Sequence, residues 1–357
     1  MSEKVLVAMS GGVDSSVAAA RLVEDGYTCV GATMRLFDKG STCGSAVEAG
    51  DAARVAQQLG FAHHVFDCTD TFSTQVIDRF VAAYERGLTP NPCIECNRYM
   101  KFAALYDEAR ALGCDAIATG HYARVEYDER QGRWTLKKAR NLAKDQTYVL
   151  YFLTQEQLAH TRFPLGDAET KDEVRAIAER YGFENAHKKD SQDICFVPDG
   201  KYADFIRART GRDYAVGDFV DGEGKVLGQH KGIIGYTIGQ RKGLGLALPA
   251  PMYVCRKDMQ NNTVVLAPEA ALYSRRLWAT DFNWTSGVTP QKPIRAMAKT
   301  RYSAKEAPAT VSVCDDGRVQ VLFDTPQRAV TEGQAVVLYS SDEVLGGGTI
   351  VQKEELV

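Results

Sequence analysis

A short loop near the amino terminus constrains the fold of this chain most strongly. It reads Ser-Gly-Gly-Val-Asp-Ser-Ser at residues 10–16, between an apolar run at 4–9 and a stretch with helical periodicity at 13–24. Adjacent glycines let the backbone approach an anion closely, and the start of the following helix presents free N–H groups. The pattern is neither GxxxxGK[ST] nor GxGxxG. It predicts an α/β fold whose first loop suits the pyrophosphate of ATP.

Strands and helices alternate over residues 1–200. The segments that predict strands after the loop are 29–34, 63–66 and 116–119, and those that predict further helices are 46–59 and 102–112. This alternation indicates a parallel, doubly wound sheet with helices on both faces. We therefore expect a catalytic α/β domain over residues 1–200.

The rest of the chain has the pattern of β structure. Glycines become dense after Gly200 while helical periodicity fades, which predicts a small β-rich central domain over 201–275. Further on, apolar and polar residues alternate, as in 319–323 and 335–339. This pattern predicts a C-terminal antiparallel β-barrel, or a sandwich, over 276–357.

The overall composition excludes several classes of protein. Hydrophobic residues make up 45% and charged residues 25% of the 357 residues, as in ordinary globular proteins. No apolar run reaches membrane-spanning length, and residues 1–4 show no signal-peptide pattern before the first strand. We expect a cytoplasmic protein that does not bind a membrane.

Basic residues are concentrated in one part of the chain. The formal net charge is −3, but residues 225–307 contain 13 Lys and Arg against 4 Asp and Glu, and residues 308–357 contain 3 against 8. Such a segment is a candidate surface for a polyanion such as nucleic acid. A solvated face stabilised by ion pairs is an equally good interpretation of the charge alone.

The nine cysteines favour thiol chemistry or metal binding over a disulfide framework, because their number is odd and they are scattered. Prolines on both sides of Asn91 predict an extended loop that carries Cys93 and Cys96, whose spacing suits metal ligation or redox exchange. Cys195 follows the basic run 187–189, which would favour its thiolate. The remaining cysteines are interpreted as small core residues (Cys29, Cys68, Cys114, Cys255, Cys314) or receive no assignment (Cys43).

An ordered set of motifs extends over most of the chain. They are Ser-Gly-Gly-Val-Asp-Ser-Ser at 10–16, Gly-Ala-Thr-Met at 31–34, Thr-Pro-Asn-Pro at 89–92, Cys-Asn at 96–97 before Lys-Phe at 101–102, Thr-Gly-His-Tyr-Ala at 119–123, Lys-Asp-Gln at 144–146, Ser-Gln-Asp-Ile-Cys-Phe at 191–196, the glycine-rich 235–245, Arg-Tyr at 301–302, and Gln334. Together they resemble the bacterial tRNA-specific 2-thiouridylases of the ATP pyrophosphatase superfamily.

The resemblance implies an enzyme that replaces O2 of the wobble uridine, position 34 of tRNA, by sulfur. It implies that ATP adenylates this oxygen and yields AMP and pyrophosphate, with Mg²⁺ expected beside ATP. Cys195 would carry a persulfide whose terminal sulfur attacks C2, and Cys96 would attack the persulfide and leave a Cys96–Cys195 disulfide. The implied ATP-binding residues are Ala8, Met9, Ser10, Gly11, Gly12, Val13, Asp14, Ser15, Met34 and Gly120. A sulfur-donor or sulfur-carrier protein is the implied partner besides tRNA.

One position departs from the best-known pattern of the family. An Asp that is often interpreted as a general base stands there where this chain has Cys93. The presence of Cys93 instead of Asp is a neutral substitution if sulfur is transferred through the Cys195 persulfide and Cys96 alone. Alternatively, Cys93, Cys96 and Cys195 would ligate three irons of a [4Fe-4S] cluster whose fourth iron binds sulfide.

The resemblance also implies a tRNA surface and a pocket for a base that is flipped out of its stack. Asn91, Pro92 and Cys93 would line this pocket. The implied tRNA contacts are His121, Lys144, Asp145, Gln146, Arg301, Tyr302 and Gln334. Lysine and arginine suit phosphates, and a tyrosine ring can stack on a base.

Two alternatives use the same features. The chain could be another adenylating ligase or amidotransferase-like synthetase of the superfamily, although these enzymes do not need a thiol pair. It could also be a non-catalytic RNA-binding or iron–sulfur scaffold protein, although a scaffold does not need a pyrophosphate loop.

Overall fold

Three sheets and nine α-helices form the part of the chain that the computed structural model describes, residues 2–37, 46–188 and 194–351. The strands are β1 Lys4–Ala8, β2 Thr28–Arg35, β3 His63–Asp67, β4 Ala116–Ala118, β5 Ala123–Asp128, β6 Arg133–Lys138, β7 Thr161–Arg162, β8 Gly217–Val220, β9 Val226–His230, β10 Tyr253–Asp258, β11 Thr263–Ala267, β12 Tyr273–Trp284, β13 Ile294–Lys299, β14 Ala307–Val313, β15 Val319–Arg328, β16 Ala335–Ser340 and β17 Glu343–Val351. The helices are α1 Val13–Glu24, α2 Ala46–Leu59, α3 Thr69–Phe72, α4 Arg79–Glu85, α5 Pro92–Glu95, α6 Leu105–Ala111, α7 Gln155–Ala159, α8 Lys171–Arg180 and α9 Tyr202–Thr210. Across the described ranges, no helix combines the length and the apolar character that crossing a membrane would require.

The first sheet has five parallel strands in the order β3-β2-β1-β4-β7. Successive side chains of a strand point to opposite faces. Val5 and Val7 accordingly pack with α1, α2 and α8 on one face, whereas Leu6 packs with α6 on the other. Helices therefore cover both faces, and the predicted doubly wound α/β fold is confirmed.

The segment around the Cys-x-x-Cys pair differs from the prediction. The extended loop predicted after Asn91 is wrong, because α5 begins at Pro92 and continues as π-helical turns over Cys96–Ala104 before α6. The fixed φ of proline suits the first helical position, and the Asn91 side chain accepts a hydrogen bond from the N–H of Cys93 at 3.1 Å. The helix predicted over 102–112 is the end of this longer helical stretch.

The other two sheets are formed mainly by the second half of the chain. The central sheet has four strands in the order β10-β11-β8-β9. The six strands from β12 to β17 form a closed antiparallel barrel, since β12 pairs with both β15 and β17. The barrel prediction is thus confirmed. The hairpin β5–β6, from the first part of the chain, extends the barrel sheet through the pairing of Lys137 with Glu343.

Candidate active site

The glycine loop lies at the carboxyl end of β1 and is braced from two sides. Gly11 has a φ of +69°, and a Cβ there would lie 2.4 Å from the carbonyl oxygen of Glu48, so this position requires glycine. Asn185 donates from Nδ2 to the carbonyl oxygen of Gly11 at 3.0 Å and to the Ser16 hydroxyl at 2.9 Å. The loop is therefore held in shape by α2 and by the segment after α8.

The start of α1 is suited to an anion. Its N-cap residue, Gly12, provides no side-chain hydrogen bond to the first turn. The hydroxyls of Ser15 and Ser16 both donate to the Gly12 carbonyl at 3.0 Å, and Ser15 also accepts from the Ser10 N–H at 3.2 Å. The helix dipole therefore acts on this loop without a capping carboxylate, as in phosphate sites.

Asp14 is held by two residues that are distant in sequence. Its carboxylate accepts a hydrogen bond from the Tyr122 hydroxyl at 2.7 Å and pairs with the Lys171 ammonium at 2.7 and 2.8 Å. Gly120 packs directly against the same turn. A Cβ at Gly120 would lie 2.9 Å from backbone atoms of Asp14 and Ser15, so a larger residue would collide with the turn. The structure thus brings Gly120 to the loop, while sequence reasoning missed Lys171 and Asn185.

The ends of β1 and β2 connect the loop to the rest of the site. Met9 donates its N–H to Ala32, and the Thr33 hydroxyl donates to the carbonyl oxygen of Met9 at 2.7 Å. Met34, half-buried on β2, packs against a hydrophobic cluster formed by Phe72, Met100 and Phe196 together with their neighbours. We call this the thiol-side cluster.

Cys96 and Cys195 both pack against the thiol-side cluster, as Met34 does. Cys96 begins the π-helical turns, and both thiols are half-buried, whereas Cys93 is exposed. The structure thus brings the two predicted catalytic thiols to one cluster, which also contacts the strand after the nucleotide loop. None of the eight cysteines in the described ranges forms a disulfide.

The predicted [4Fe-4S] ligand set is not assembled in this structure. Within residues 2–37, 46–188 and 194–351, no three His, Cys, Asp or Glu side chains form a group that could hold a metal ion. Cys93, Cys96 and Cys195 all lie in these ranges, so their arrangement does not fit a three-thiolate site.

Part of the Cys195 segment lies outside the described residues, namely Lys189 and 191–193 of its motif, as does Cys43. The described part of the basic run 187–189 pairs with acidic residues. Lys188 lies 3.4 Å from both Glu48 and Asp51, and the exposed His187 lies 3.7 Å from Glu179.

The predicted base pocket contains one buried residue and one exposed thiol. Asn91 caps α5, Pro92 is buried in the first helical position, and Cys93 is exposed on the first turn. Tyr302 lies close enough to this turn for Cys93 to affect its titration. Burial raises the pKa of Tyr302, and the nearby Asp145 and Cys93 raise it further. The structure therefore places Tyr302, from the barrel, beside the predicted pocket.

Five of the predicted tRNA contacts are engaged within the protein. Gln146 binds the N–H of Tyr122, and Gln334 donates to the carbonyl oxygen of Thr89 at 2.7 Å. Asp145 accepts from the Thr147 hydroxyl at 2.7 Å, and burial raises its pKa. Tyr302 is exposed, but its hydroxyl donates to the carbonyl oxygen of Asp145 at 3.3 Å, and His121 is bound to Thr119. Arg301 is exposed and Lys144 is half-buried.

His121 is buried beside the nucleotide loop. Its Nδ1 lies 2.7 Å from the Thr119 hydroxyl, and its Nε2 lies 3.5 Å from the Lys101 ammonium. Burial lowers the pKa of His121 well below its usual value, and the charge of Lys101 lowers it further. The ring is therefore neutral and accepts a hydrogen bond from Lys101.

The parallel sheet and the anion-binding loop after its first strand define an α/β nucleotide-binding domain. Family models agree with this class. A tRNA methyl transferase HUP domain matches residues 3–199, a tRNA methyl transferase PRC-barrel domain matches 203–268, and an aminomethyltransferase beta-barrel domain matches 274–350.

Relatives with the name tRNA-specific 2-thiouridylase MnmA match nearly the whole chain. The protein of Acetivibrio thermocellus is 51% identical over 98% of this chain and 99% of its own length. That of Clostridioides difficile is 48% identical over 98% of both chains, and that of Moorella thermoacetica is 51% identical over 97% of this chain and 98% of its own. The chain belongs to the tRNA-specific 2-thiouridylase family, a family of tRNA sulfurtransferases.

Proposed function

We propose that this chain catalyses the ATP-dependent 2-thiolation of the wobble uridine, position 34, of tRNA. One observation carries the proposal: Met34, beside the nucleotide loop, and the thiols of Cys96 and Cys195 pack against one hydrophobic cluster. The activating nucleotide and the sulfur-handling thiols would then act on the same base. Membership of the 2-thiouridylase family supports the same reaction.

The first step activates O2 of the uridine. This oxygen attacks the α-phosphorus of ATP, a bond to the adenylyl group forms, and pyrophosphate leaves. The loop 8–15 would hold the phosphates with its N–H groups. Asp14, fixed by Lys171 and Tyr122, is the candidate ligand of Mg²⁺, with the phosphates supplying further ligands. When bound, this ion neutralises charge on the phosphates.

The second step transfers sulfur to the base, and two thiols supply the two electrons that this transfer requires. The terminal sulfur of a Cys195 persulfide attacks C2, and AMP leaves with the former O2. The Cys96 thiolate then attacks Sγ of Cys195, which breaks the S–S bond to the base and leaves the new sulfur as the 2-thiocarbonyl. Cys96 and Cys195 are oxidised to a disulfide, which a thiol reductant must reduce. A sulfur-donor protein must then reload Cys195.

The proposed route is written for these two thiols alone; within the described ranges, Cys93, Cys96 and Cys195 do not form the three-thiolate group that the cluster route would use. Cys93 is then a residue of the base pocket. Its exposure on the first turn of α5, next to Asn91 and Pro92, suits contact with a flipped base.

The tRNA would bind across the barrel side of the pocket. Arg301 and Tyr302 are exposed there, and Lys144 lies on a neighbouring loop. An arginine suits phosphates and an exposed tyrosine suits base stacking. The buried His121 and the half-buried Asp145 would support this surface from beneath.

The adenylation step can be isolated by removing the sulfur carrier. With [α-³²P]ATP and tRNA, the Cys195→Ser variant should transfer the label to tRNA and form no 2-thiouridine. Cys314→Ser, in a barrel turn, is the matched control and should form 2-thiouridine as the natural chain does. Thiolation by Cys195→Ser, or no tRNA-dependent release of pyrophosphate from the natural chain, would contradict the proposal.

A further inference from the structure

A turn of the barrel holds the segment that leads into the predicted base pocket. The turn comprises residues 331–334 and is called the barrel turn; residues 89–93 are called the target-base loop. The N–H of Thr89 donates to the carbonyl oxygen of Glu332 at 2.9 Å, and the carbonyl oxygen of Thr89 accepts from Nε2 of Gln334 at 2.7 Å. Both backbone polar groups of Thr89 therefore bind the barrel turn.

Gly333 makes this close approach possible. Its φ is +84°, and a Cβ there would lie 2.9 Å from Cβ of Leu88 and 3.0 Å from N of Thr89. The turn itself is tied to β17, since Gly333 donates to Ile350 at 3.0 Å and Ile350 donates to Gln334 at 2.8 Å. A side chain at position 333 would therefore displace the target-base loop rather than the barrel.

The barrel turn also lies close to the central sheet and to α4 of the α/β part. The half-buried carboxyl of Glu332 faces Lys257 of β10, and the Lys257 ammonium lies 6.0 Å from the centre of the Tyr84 ring in α4. Burial lowers the pKa of Lys257 to about 8, while Glu332 opposes this shift. The first α/β part, the central sheet and the barrel thus meet where the target-base loop begins.

We propose that the barrel turn is a positioning element for the target-base loop. Gly333 and Gln334 act on the reaction through Thr89, which fixes Asn91 and hence the start of the helix that carries Cys93 and Cys96. Gln334 is then a positioning residue for this loop through its hydrogen bond to Thr89. The identity of the loop's ligand rests on the proposed function, whereas the geometry of the junction does not.

The test compares two glycines of the barrel. Gly333→Ala collides with the target-base loop. Gly317→Ala is the matched control, because Gly317 also has a positive φ of +81° in a barrel turn but nothing lies within 4 Å of its Cβ position. Both variants carry the same kind of backbone strain, so their difference reports the collision.

Two measurements on the full chain are expected to separate the variants. The single-turnover rate of thiolation at saturating tRNA should be at least about tenfold lower in Gly333→Ala than in Gly317→Ala, as expected when a reacting site shifts by about 1 Å. The Kd for tRNA should stay within about threefold of the control, because Arg301 and Lys144, which would bind the phosphates, are unchanged. Without ATP or tRNA, iodoacetamide should alkylate the half-buried Cys96 faster in Gly333→Ala, as peptide mass spectrometry would show.

Equal thiolation rates and equal alkylation rates in the two variants would overturn the proposal. A loss of tRNA affinity as large as the loss of rate would also overturn it, since the turn would then contact RNA directly. Gln334→Met keeps the side-chain length but removes the donor to Thr89. It should slow the single-turnover thiolation at saturating tRNA and speed the alkylation of Cys96. If the natural chain forms no 2-thiouridine, the proposed function fails, and the Cys96 alkylation rates alone decide the inference.

Discussion

Asp14 shows how single residues from distant segments prepare the nucleotide loop. Its carboxylate is fixed by the Tyr122 hydroxyl and by Lys171, whose side chain is only 11% exposed. An exposed ion pair contributes about 0–1 kcal/mol, and a shielded pair is screened less by water and salt. The carboxylate is therefore oriented before a nucleotide or Mg²⁺ binds, which reduces the reorganisation that the reaction requires.

The buried His121 predicts a pH dependence of stability. The pKa of His121 is lowered in the folded protein. As the pH falls below about 6.5, the imidazole of His121 is therefore protonated in the unfolded chain before it is protonated in the folded one. Stability is thus fully present above pH 6.5 and is lost below it, by up to ~1.4 kcal/mol per pH unit from this residue. Urea unfolding at pH 6.5 and 5.5 should show a smaller loss for His121→Gln than for the natural chain.

The control for this experiment is His187→Gln, since His187 is exposed. It should show the same loss of stability between the two pH values as the natural chain. Equal losses in His121→Gln and in the natural chain would contradict a neutral, buried His121.

Some residue roles could be predicted from the sequence and others could not. The glycines of the loop stand in a local motif, so their role follows from neighbours in the chain. Lys171 contacts Asp14 across 157 positions, and Asn185 contacts Gly11 across 174. Neither periodicity nor local spacing carries information about such pairs. The neutral state of His121 likewise depends on tertiary burial.

At the scale of elements, the regular helices were predictable and the helix at the thiols was not. The amphipathic patterns at 13–24 and 46–59 gave the bounds of α1 and α2 correctly. Around Asn91, two prolines suggested extended backbone. Proline at the first helical position and an Asn cap are equally compatible with a helix start, and packing against the thiol-side cluster favours the helix.

The cap of α5 allows its structural and chemical roles to be separated. Asn91→Ala should lower the free energy of unfolding by about 1 kcal/mol through loss of the cap, whereas Asn91→Asp should keep it near that of the natural chain. If the amide also binds the target base, both variants should slow thiolation. Urea unfolding and single-turnover thiolation measure the two effects. Full activity of Asn91→Asp would limit Asn91 to capping.

At the scale of the whole molecule, the barrel was predictable but its connections were not. Alternating apolar residues indicated an antiparallel barrel, and β12 closes it. The sequence carried no sign that the β5–β6 hairpin extends the barrel sheet, or that the barrel turn holds Thr89. Both contacts join segments about 200 or more positions apart. They arise from packing between separately formed parts.

The most direct test of the account is the mass of the modified nucleoside. The purified chain is incubated with ATP, Mg²⁺, a persulfide donor, a thiol reductant and tRNA with uridine at position 34, and digested nucleosides are analysed by mass spectrometry. We expect one 2-thiouridine per tRNA, at position 34, with equal amounts of AMP and pyrophosphate, and none with Cys195→Ser. Consumption of ATP without 2-thiouridine, or 2-thiouridine formed by Cys195→Ser, would contradict it.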